Sequence, residues 1–187
     1  RKVAGQGITF RWLRGAEIDA DTWLEVYRLI SITFMRRGSM PYYDYDFFRQ
    51  VSANLGDDIA VVMAELDGKA IAAAVFFVGR DALYGRYWGS DEYFDALHFE
   101  TCYYQGIEFC IRHRIGRFEP GTQGEHKISR GFVPETTWSA HWLARPEFFD
   151  AIGRYLEDEG EHVDRYADAV RAHSPYRKGD PSDGSGR

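Results

Sequence analysis

The chain has 187 residues and a formal net charge of −6 at pH 7, with 44% hydrophobic and 16% aromatic residues. This length and apolar content predict one globular domain with a sizeable core. The negative charge argues against an extended nucleic-acid-binding surface, and no apolar run approaches the ~20 residues that a membrane span needs. No signal peptide is visible, so we expect a cytoplasmic protein.

The first predicted elements are a short strand and two helices. Alternating apolar residues predict the strand around Phe10. Asp19 or Asp21 caps a first helix, and the run Arg36-Arg37-Gly38 supplies the cations and the glycine that end it. A second helix carries Phe47, Phe48 and Val51. The tyrosines around Pro41, between the two helices, either line an acceptor groove or pack on the domain edge.

A β-meander follows these helices. The segments 59–66 and 70–78 alternate around Asp67-Gly68, the dipeptide that favours a tight hairpin turn. A third strand is predicted at 82–88. Strands that follow one another directly indicate an antiparallel sheet with one buried face.

The longest helical pattern spans Phe99–Arg114. Its predicted apolar stripe consists of Phe99, Cys102, Tyr103, Ile107, Cys110 and Ile111. Glu100, Tyr104 and Glu108 recur every fourth residue and are predicted to share another face. The two cysteines would lie ~12 Å apart along this helix, too far for a disulfide. We therefore expect both to be small buried side chains in a reducing compartment.

Four elements are predicted after this helix. They are a short strand at 117–120, a short helix at 123–130 whose capping box is Thr122 and Glu125, a strand at 136–143, and a helix from Pro146 to about Ala172 with Gly160 as a potential break. Residues 174–187 are rich in Gly, Ser and Pro and predict a disordered tail. The whole order predicts an α+β fold, a mainly antiparallel sheet flanked by helices.

Polar chemistry is concentrated between Phe118 and His141, in the stretch FEPGTQGEHKISRGFVPETTWSAH. Three glycines interrupt this stretch, and a helical pattern precedes it. Dense polar groups on a glycine-rich connection are typical of a binding or catalytic loop.

The stretch HFETCYYQGIEFCIRHRIGRFEPGTQGEHKISRGFVPETTWSAHWL resembles the bacterial FemAB-like predicted N-acyltransferases, a family associated with peptidoglycan biosynthesis/recognition. The element order is similar to that of GNAT acyltransferases. The resemblance runs from Lys2 to about Tyr176. It implies a GNAT-like domain at 1–173, the tail at 174–187, and a chain that is the second, C-terminal half of a longer protein, with the N-terminal half as its partner.

The resemblance implies transfer of an acyl or aminoacyl group to an amine, in a peptidoglycan precursor or a related amino compound. The donor would be aminoacyl-tRNA or an acyl-CoA; no cofactor is assigned. One departure concerns Trp88–Glu92, which occupies the place of the glycine-rich acetyl-CoA loop of a GNAT enzyme. We therefore predict that acetyl-CoA is not bound in the ordinary GNAT manner.

Acyl transfer to an amine needs a proton acceptor, donors for the developing oxyanion, and positive charge for a phosphate-bearing donor. The catalytic candidates are Glu119, Glu125 and His126, and the substrate-binding candidates are Gln123, Lys127, Arg130, His141 and Tyr104. We expect the candidates from Glu119 to Arg130 to converge on one cleft.

Each candidate has a plainer alternative. Glu125 has the position of a capping residue, Lys127 and Arg130 suit a solvated face, and both His126 and His141 suit a packed core. His126, His141 and Glu125 have metal-ligand chemistry, but their spacing does not support a metal site, so none is predicted. Two other functions stay open: a non-catalytic module that recognises a muropeptide or an amino acid, and an interaction domain with exposed tryptophans near Trp138 and Trp142.

Overall fold

The structure is a computed structural model that describes residues 3–121 and 125–172, with the backbone alone at Ala4 and Glu125. Contacts within the chain divide it into two compact units, Arg1–Thr122 and Gln123–Arg187. The predicted tail at 174–187 lies outside the described residues. Its disorder therefore stays a prediction, as does the single domain at 1–173.

The first unit is built on one five-stranded sheet. Its strands are β1 (Thr9–Arg14), β2 (Ile59–Leu66), β3 (Lys69–Val78), β4 (Ala82–Ser90) and β5 (Arg117–Glu119), and their order in the sheet is their order in the chain. The first three pairings are antiparallel, and β4 pairs with β5 in parallel. The mainly antiparallel α+β sheet and its continuous meander are thus confirmed.

The hairpin between β2 and β3 has the turn that its sequence predicts. Asp67 and Gly68 both have positive φ, 52° and 76°, as a type I′ turn requires. This turn fixes the register that runs from Ile59 opposite Phe77 to Leu66 opposite Lys69.

Two helices, α1 (Ala20–Arg36) and α2 (Tyr45–Leu55), cover one face of the sheet. Asp19 caps α1, since its carboxylate accepts a hydrogen bond from the Thr22 amide at 2.8 Å. The core on this face joins both helices to β1, β2 and β3 through Leu13, Ile18, Trp23, Val26, Leu29, Ile30, Phe48, Ile59, Val61, Met63, Ala73 and Val75. The burial of these apolar side chains holds the helices on the sheet.

The opposite face is covered by a helix in three parts, α3 (Leu97–Phe99), a π-turn (Glu100–Tyr104) and α4 (Gln105–His113). The predicted stripe was wrong at its C-terminal end, because Ile111 is 74% exposed whereas Phe109 is 2% exposed. A π-turn closes i→i+5 hydrogen bonds and so adds one residue to the helix. The residues that follow it are rotated away from the face that an ideal 3.6-residue period assigns to them.

The same π-turn separates the three residues that were expected to share a face. Glu100 is only 3% exposed, Glu108 is half-buried, and Tyr104 is 37% exposed. Both cysteines are free; Cys110 is buried and Cys102 half-buried. Burial raises the pKa of the Cys110 thiol to about 11.

The second unit has a 3₁₀ helix (Glu125–Arg130), a segment without regular secondary structure at 132–143, and α5 (Pro146–Ala172), which continues through Gly160 without a break. The strand predicted at 136–143 was wrong: within the described residues this segment pairs with no strand, and Trp138 is 92% exposed. Alternation alone cannot make a strand where no neighbouring strand accepts the backbone hydrogen bonds. None of the described helices has the length and hydropathy to cross a bilayer.

Candidate functional site

The parallel strands β4 and β5 part shortly after they meet. Three residues of each strand are paired, the last pair being Tyr84 and Glu119. Beyond this pair β4 continues to Ser90, and within the described residues no strand pairs with the outer side of Gly85–Ser90, which we call the open edge of β4. Ligands of open sheets bind beyond the carboxyl ends of parallel strands, where neighbouring strands diverge. The open edge is therefore the candidate site of the first unit.

A β-bulge lies where the open edge begins. Gly85 pairs with Phe76 and Tyr87 pairs with Val75, so Arg86 is an extra residue in β4. Bulges redirect side chains and are frequent next to active sites. The Arg86 guanidinium lies 5.1 Å from the centroid of the Tyr87 ring. This arrangement places a cation and an aromatic ring together at the open edge.

Aromatic side chains surround Tyr87 on the face that carries α1 and α2. The Tyr87 ring packs edge-on against Phe48, with centroids 5.3 Å apart. Burial raises the pKa of Tyr87, and the hydroxyls of Tyr43 and Tyr42 raise it further. The nearby Arg86 lowers the pKa of Tyr87 and so opposes this shift. Tyr42 is 78% exposed. Tyr42 packs edge-on against Phe34 and Tyr43 stacks on Phe47, and both tyrosines leave aromatic surface exposed.

Glu119 ends β5 beside the open edge. Its carboxylate lies 3.1 Å from the Nε of Arg117, and the two side chains are 46% and 58% exposed. A hydrogen bond with Tyr84, and then the charge of Glu119, raise the pKa of Arg117. Exposed ion pairs of this kind contribute little to stability, so Glu119 can exchange Arg117 for the ammonium group of a ligand.

The connection that follows β4 is tied to α1. The Ser90 amide donates to the Thr33 hydroxyl at 3.1 Å, and the Arg36 guanidinium donates to the carbonyls of Ser90, at 3.1 Å, and Asp91. The Asp91 carboxylate pairs with Arg28 at 3.3 Å. These contacts fix the end of the open edge against the helix.

Two backbone amides of the connection after β4 have protein partners. The amide of Asp91 donates to the carbonyl of Ile71 at 3.1 Å, and that of Leu97 to the carbonyl of Phe94 at 3.2 Å. The connection also carries three carboxylates, those of Asp91, Glu92 and Asp95. Like charge and satisfied donors both disfavour a phosphate group at this position.

In the second unit, the 3₁₀ helix groups three basic side chains, those of His126, Lys127 and Arg130. Lys127 is only 8% exposed, so its solvated-face interpretation was wrong. Burial, followed by the charges of Arg130 and Lys127, lowers the pKa of His126. His126 itself lies at the surface rather than in a packed core. A surface imidazole that stays neutral at physiological pH has the protonation state of a general base.

Of the other candidates in this region, His141 is exposed, and its Nε2 lies 2.9 Å from the Ser139 hydroxyl, so its core interpretation was also wrong. Gln123 and the Glu125 side chain lie outside the described residues. No group of three or more His, Cys, Asp and Glu side chains in the described part of the chain could hold a metal ion. The convergence of the candidates from Glu119 to Arg130 on one cleft stays a prediction.

Sequence reasoning missed Arg86, Tyr87 and Arg117 as site residues. Tyr87 lay within a predicted strand, but the bulge at Arg86 depends on the register between β3 and β4. The pairing of Arg117 with Glu119 had a weak signal, since residues two apart on a strand lie on the same face.

The comparisons with known proteins agree with this fold. A family model named FemAB-like, described as peptidoglycan biosynthesis/recognition, matches residues 1–178. No curated protein matches the sequence. Two structures of an aminoglycoside acetyltransferase from an uncultured soil metagenomic sample are similar. The complex with sisomicin is 12% identical and covers 75% of this chain and 97% of its own, with a TM-score of 0.52. The complex with trehalose is 10% identical and covers 75% and 98%, with a TM-score of 0.54.

A predicted acetyltransferase from Clostridium acetobutylicum, solved with acetyl-CoA, is 13% identical and covers 73% of this chain and 96% of its own, with a TM-score of 0.52. At this identity the similarity establishes the fold alone, and it confirms the GNAT-like architecture expected from the sequence. The family model matches almost the whole length of the chain and therefore identifies its family, in addition to its fold. The chain belongs to the FemAB-like family of peptidoglycan biosynthesis/recognition proteins.

Proposed function

We propose that this chain is an N-acyltransferase domain that transfers an acyl or aminoacyl group to an amine of a peptidoglycan precursor or a related amino compound. The observation that carries the proposal is the parting of β4 and β5 after Tyr84 and Glu119, with the bulge at Arg86 beside it. An open strand edge offers backbone donors for a bound carbonyl, and Glu119 offers a carboxylate for an ammonium group. Family membership supports a cell-wall amine as the acceptor.

The acceptor is proposed to lie along the aromatic surface near Tyr87. Tyr42 and Tyr43 supply exposed rings that can pack on the apolar face of a sugar or a peptide side chain. Arg86 adds a positive charge suited to the carboxylates of a peptide stem. This surface therefore suits an acceptor that combines apolar faces, an amine and carboxylates, as a muropeptide does.

For the donor, the basic residues of the second unit support a phosphate-bearing compound. Lys127 and Arg130 are proposed to bind donor phosphate, and His126, whose lowered pKa favours the neutral imidazole, is proposed as a general base of the second unit. Gln123 and Glu125 are proposed to assist as oxyanion donor and alternative base, and Tyr104 and His141 to contact substrate. The acidic connection after β4 disfavours CoA pyrophosphate there, so an aminoacyl-tRNA is the favoured donor.

The experiment is a transfer assay on the full chain. A muropeptide with a free amine is incubated with charged tRNAs in one arm and with acetyl-CoA in the other, and mass spectrometry detects the acceptor with an added acyl group. We expect the acylated product in the tRNA arm. Glu119→Gln should reduce the amount of product by a factor of about 10²–10⁴ if Glu119 is the base. The same variant should raise the acceptor KM if Glu119 binds the ammonium group. The absence of product with every donor would contradict the proposal.

A second function is favoured by one observation. Trp138 and Trp142 are 92% and 80% exposed, and α5 exposes Phe148 and Tyr155 at 56% and 62%. Aromatic and aliphatic groups uncovered to this extent are typical of an interaction surface. The second unit is accordingly also proposed as an interaction module, for which the N-terminal half of the same protein is the proposed partner. Such a module would bind that half with unchanged affinity after Glu119→Gln.

A further inference from the structure

The π-turn brings together two side chains that a regular helix would separate. His98 and Tyr103 are five residues apart, and residues with this spacing point about 140° apart on an α-helix. Their ring centroids are nevertheless 5.4 Å apart, in an edge-on arrangement. A π-turn closes i→i+5 hydrogen bonds and aligns residues with this spacing. The contact between His98 and Tyr103 is therefore a consequence of the inserted residue.

The π-turn is held by a buried polar network. The Gln105 amide donates to the Glu100 carbonyl, and the Gln105 side-chain Nε2 donates to the Glu100 carboxylate at 3.1 Å. The Trp12 indole of β1 donates to the Gln105 Oε1 at 3.2 Å. Glu100 and Gln105 are 3% and 9% exposed. Because removing one member would leave buried polar atoms without partners, this network makes a return to regular α-helix costly.

His98 lies against the open edge of β4, on the face of the sheet that carries α3 and α4 and opposite the face of Tyr87. Its ring centroid is 5.2 Å from that of Trp88, a residue of the open edge of β4. The imidazole is half-buried and also contacts the Phe99 ring at 5.5 Å. Ala96, two residues earlier, has a φ of 63°. Residues with a Cβ seldom adopt this conformation, and where they do, a functional site is often near.

We propose that His98 is a further catalytic residue of the acyl-transfer site, placed at the open edge of β4 by the π-turn and its contact with Tyr103. This inference rests on the proposed function. The amine nitrogen of the acceptor attacks the acyl carbonyl carbon, a C–N bond forms, and the bond from that carbon to the donor oxygen breaks. His98 accepts the proton that the nitrogen loses and returns it to the leaving oxygen. Glu100 and Gln105 are positioning residues for this step.

The test uses the full chain in the transfer assay with charged tRNA and a muropeptide. His98→Gln is expected to lower kcat by a factor of about 10²–10⁴, as general-base loss does, with an unchanged melting temperature. Added imidazole is expected to restore part of the turnover of His98→Ala. The matched control is His113→Gln, an exposed histidine on the same helical run, and it should retain full activity. Glu100→Leu should lower kcat. Glu100→Gln, which keeps an acceptor for the Gln105 side chain, should have a kcat close to that of the wild type.

Each outcome bears on one proposal. Wild-type turnover together with full activity in both His98→Gln and His98→Asn would overturn the role of His98 and leave the proposed function intact. Loss of activity in these variants without imidazole rescue of His98→Ala, and with a lowered melting temperature, would make His98 structural. A wild-type chain without turnover for any donor would overturn the proposed function, and the role of His98 with it.

Discussion

At the scale of single residues, the protonation of His126 gives a testable pH dependence. Burial and the charges of Arg130 and Lys127 lower its pKa below the ordinary value of about 6.5. The His126 ring therefore takes up its proton at a lower pH in the folded state than in the unfolded state. The contribution of neutral His126 to the free energy of unfolding is complete above about pH 6.5 and is lost as the pH falls towards the lowered pKa. NMR titration of the His126 ring should give a midpoint below 6.5. A midpoint at or above the ordinary value would contradict the described surroundings of the ring.

Gly89 is a residue whose side chain must be absent. It lies in β4 against α1, and a Cβ built on it would meet the backbone of Leu29 and Ile30 at distances that atoms do not adopt. Gly89→Ala is expected to destabilise the fold by about 3 kcal/mol, the upper end of typical overpacking costs, measured by urea unfolding. Gly116→Ala is the matched control, since no atom lies within 4 Å of its Cβ position. Equal stabilities of the two variants would show that α1 does not pack on Gly89.

At the scale of elements, the π-turn decides which face of α4 is buried. Phe109 is 2% exposed and Ile111 is 74% exposed, whereas the stripe predicted from the sequence contained Ile111 and not Phe109. Phe109→Ala should therefore cost about 3–5 kcal/mol, and Ile111→Ala less than about 0.5 kcal/mol. Chemical denaturation of the two variants measures both values. A larger loss for Ile111→Ala than for Phe109→Ala would support the stripe predicted from the sequence instead.

At the scale of the whole molecule, donor choice follows from the connection after β4. Its amides at Asp91 and Leu97 have protein acceptors, and its side chains are acidic. Calorimetry with acetyl-CoA is expected to show no micromolar binding to the chain. Micromolar binding that CoA competes for would contradict this expectation and favour an acyl-CoA donor. Desulfo-CoA serves as a control for binding through the nucleotide alone.

The exposed tryptophans give a prediction for the second unit. The double variant Trp138→Ser and Trp142→Ser should leave the melting temperature of the chain unchanged, because both side chains are already exposed. It should weaken binding to the N-terminal half of the same protein at least tenfold in calorimetry, because aromatic side chains of this size dominate interface energetics. Phe149→Ser on α5 is the comparison, since this side chain is 48% exposed. Unchanged affinity in both variants would place the interface elsewhere.

By itself the sequence determined the elements whose signals are local: the turn at Asp67-Gly68, the start of α1 at Asp19 or Asp21, the end of α1, and the α+β order. The family was also readable, because the stretch from His98 to Leu143 resembles it. Tertiary structure alone decided the π-turn, the bulge at Arg86, the open edge of β4 and the failure of 136–143 to form a strand. The physical reason is the same in each case. A one-residue insertion, a pairing register or a strand depends on partners distant in sequence, whereas caps and turns are set by neighbouring residues.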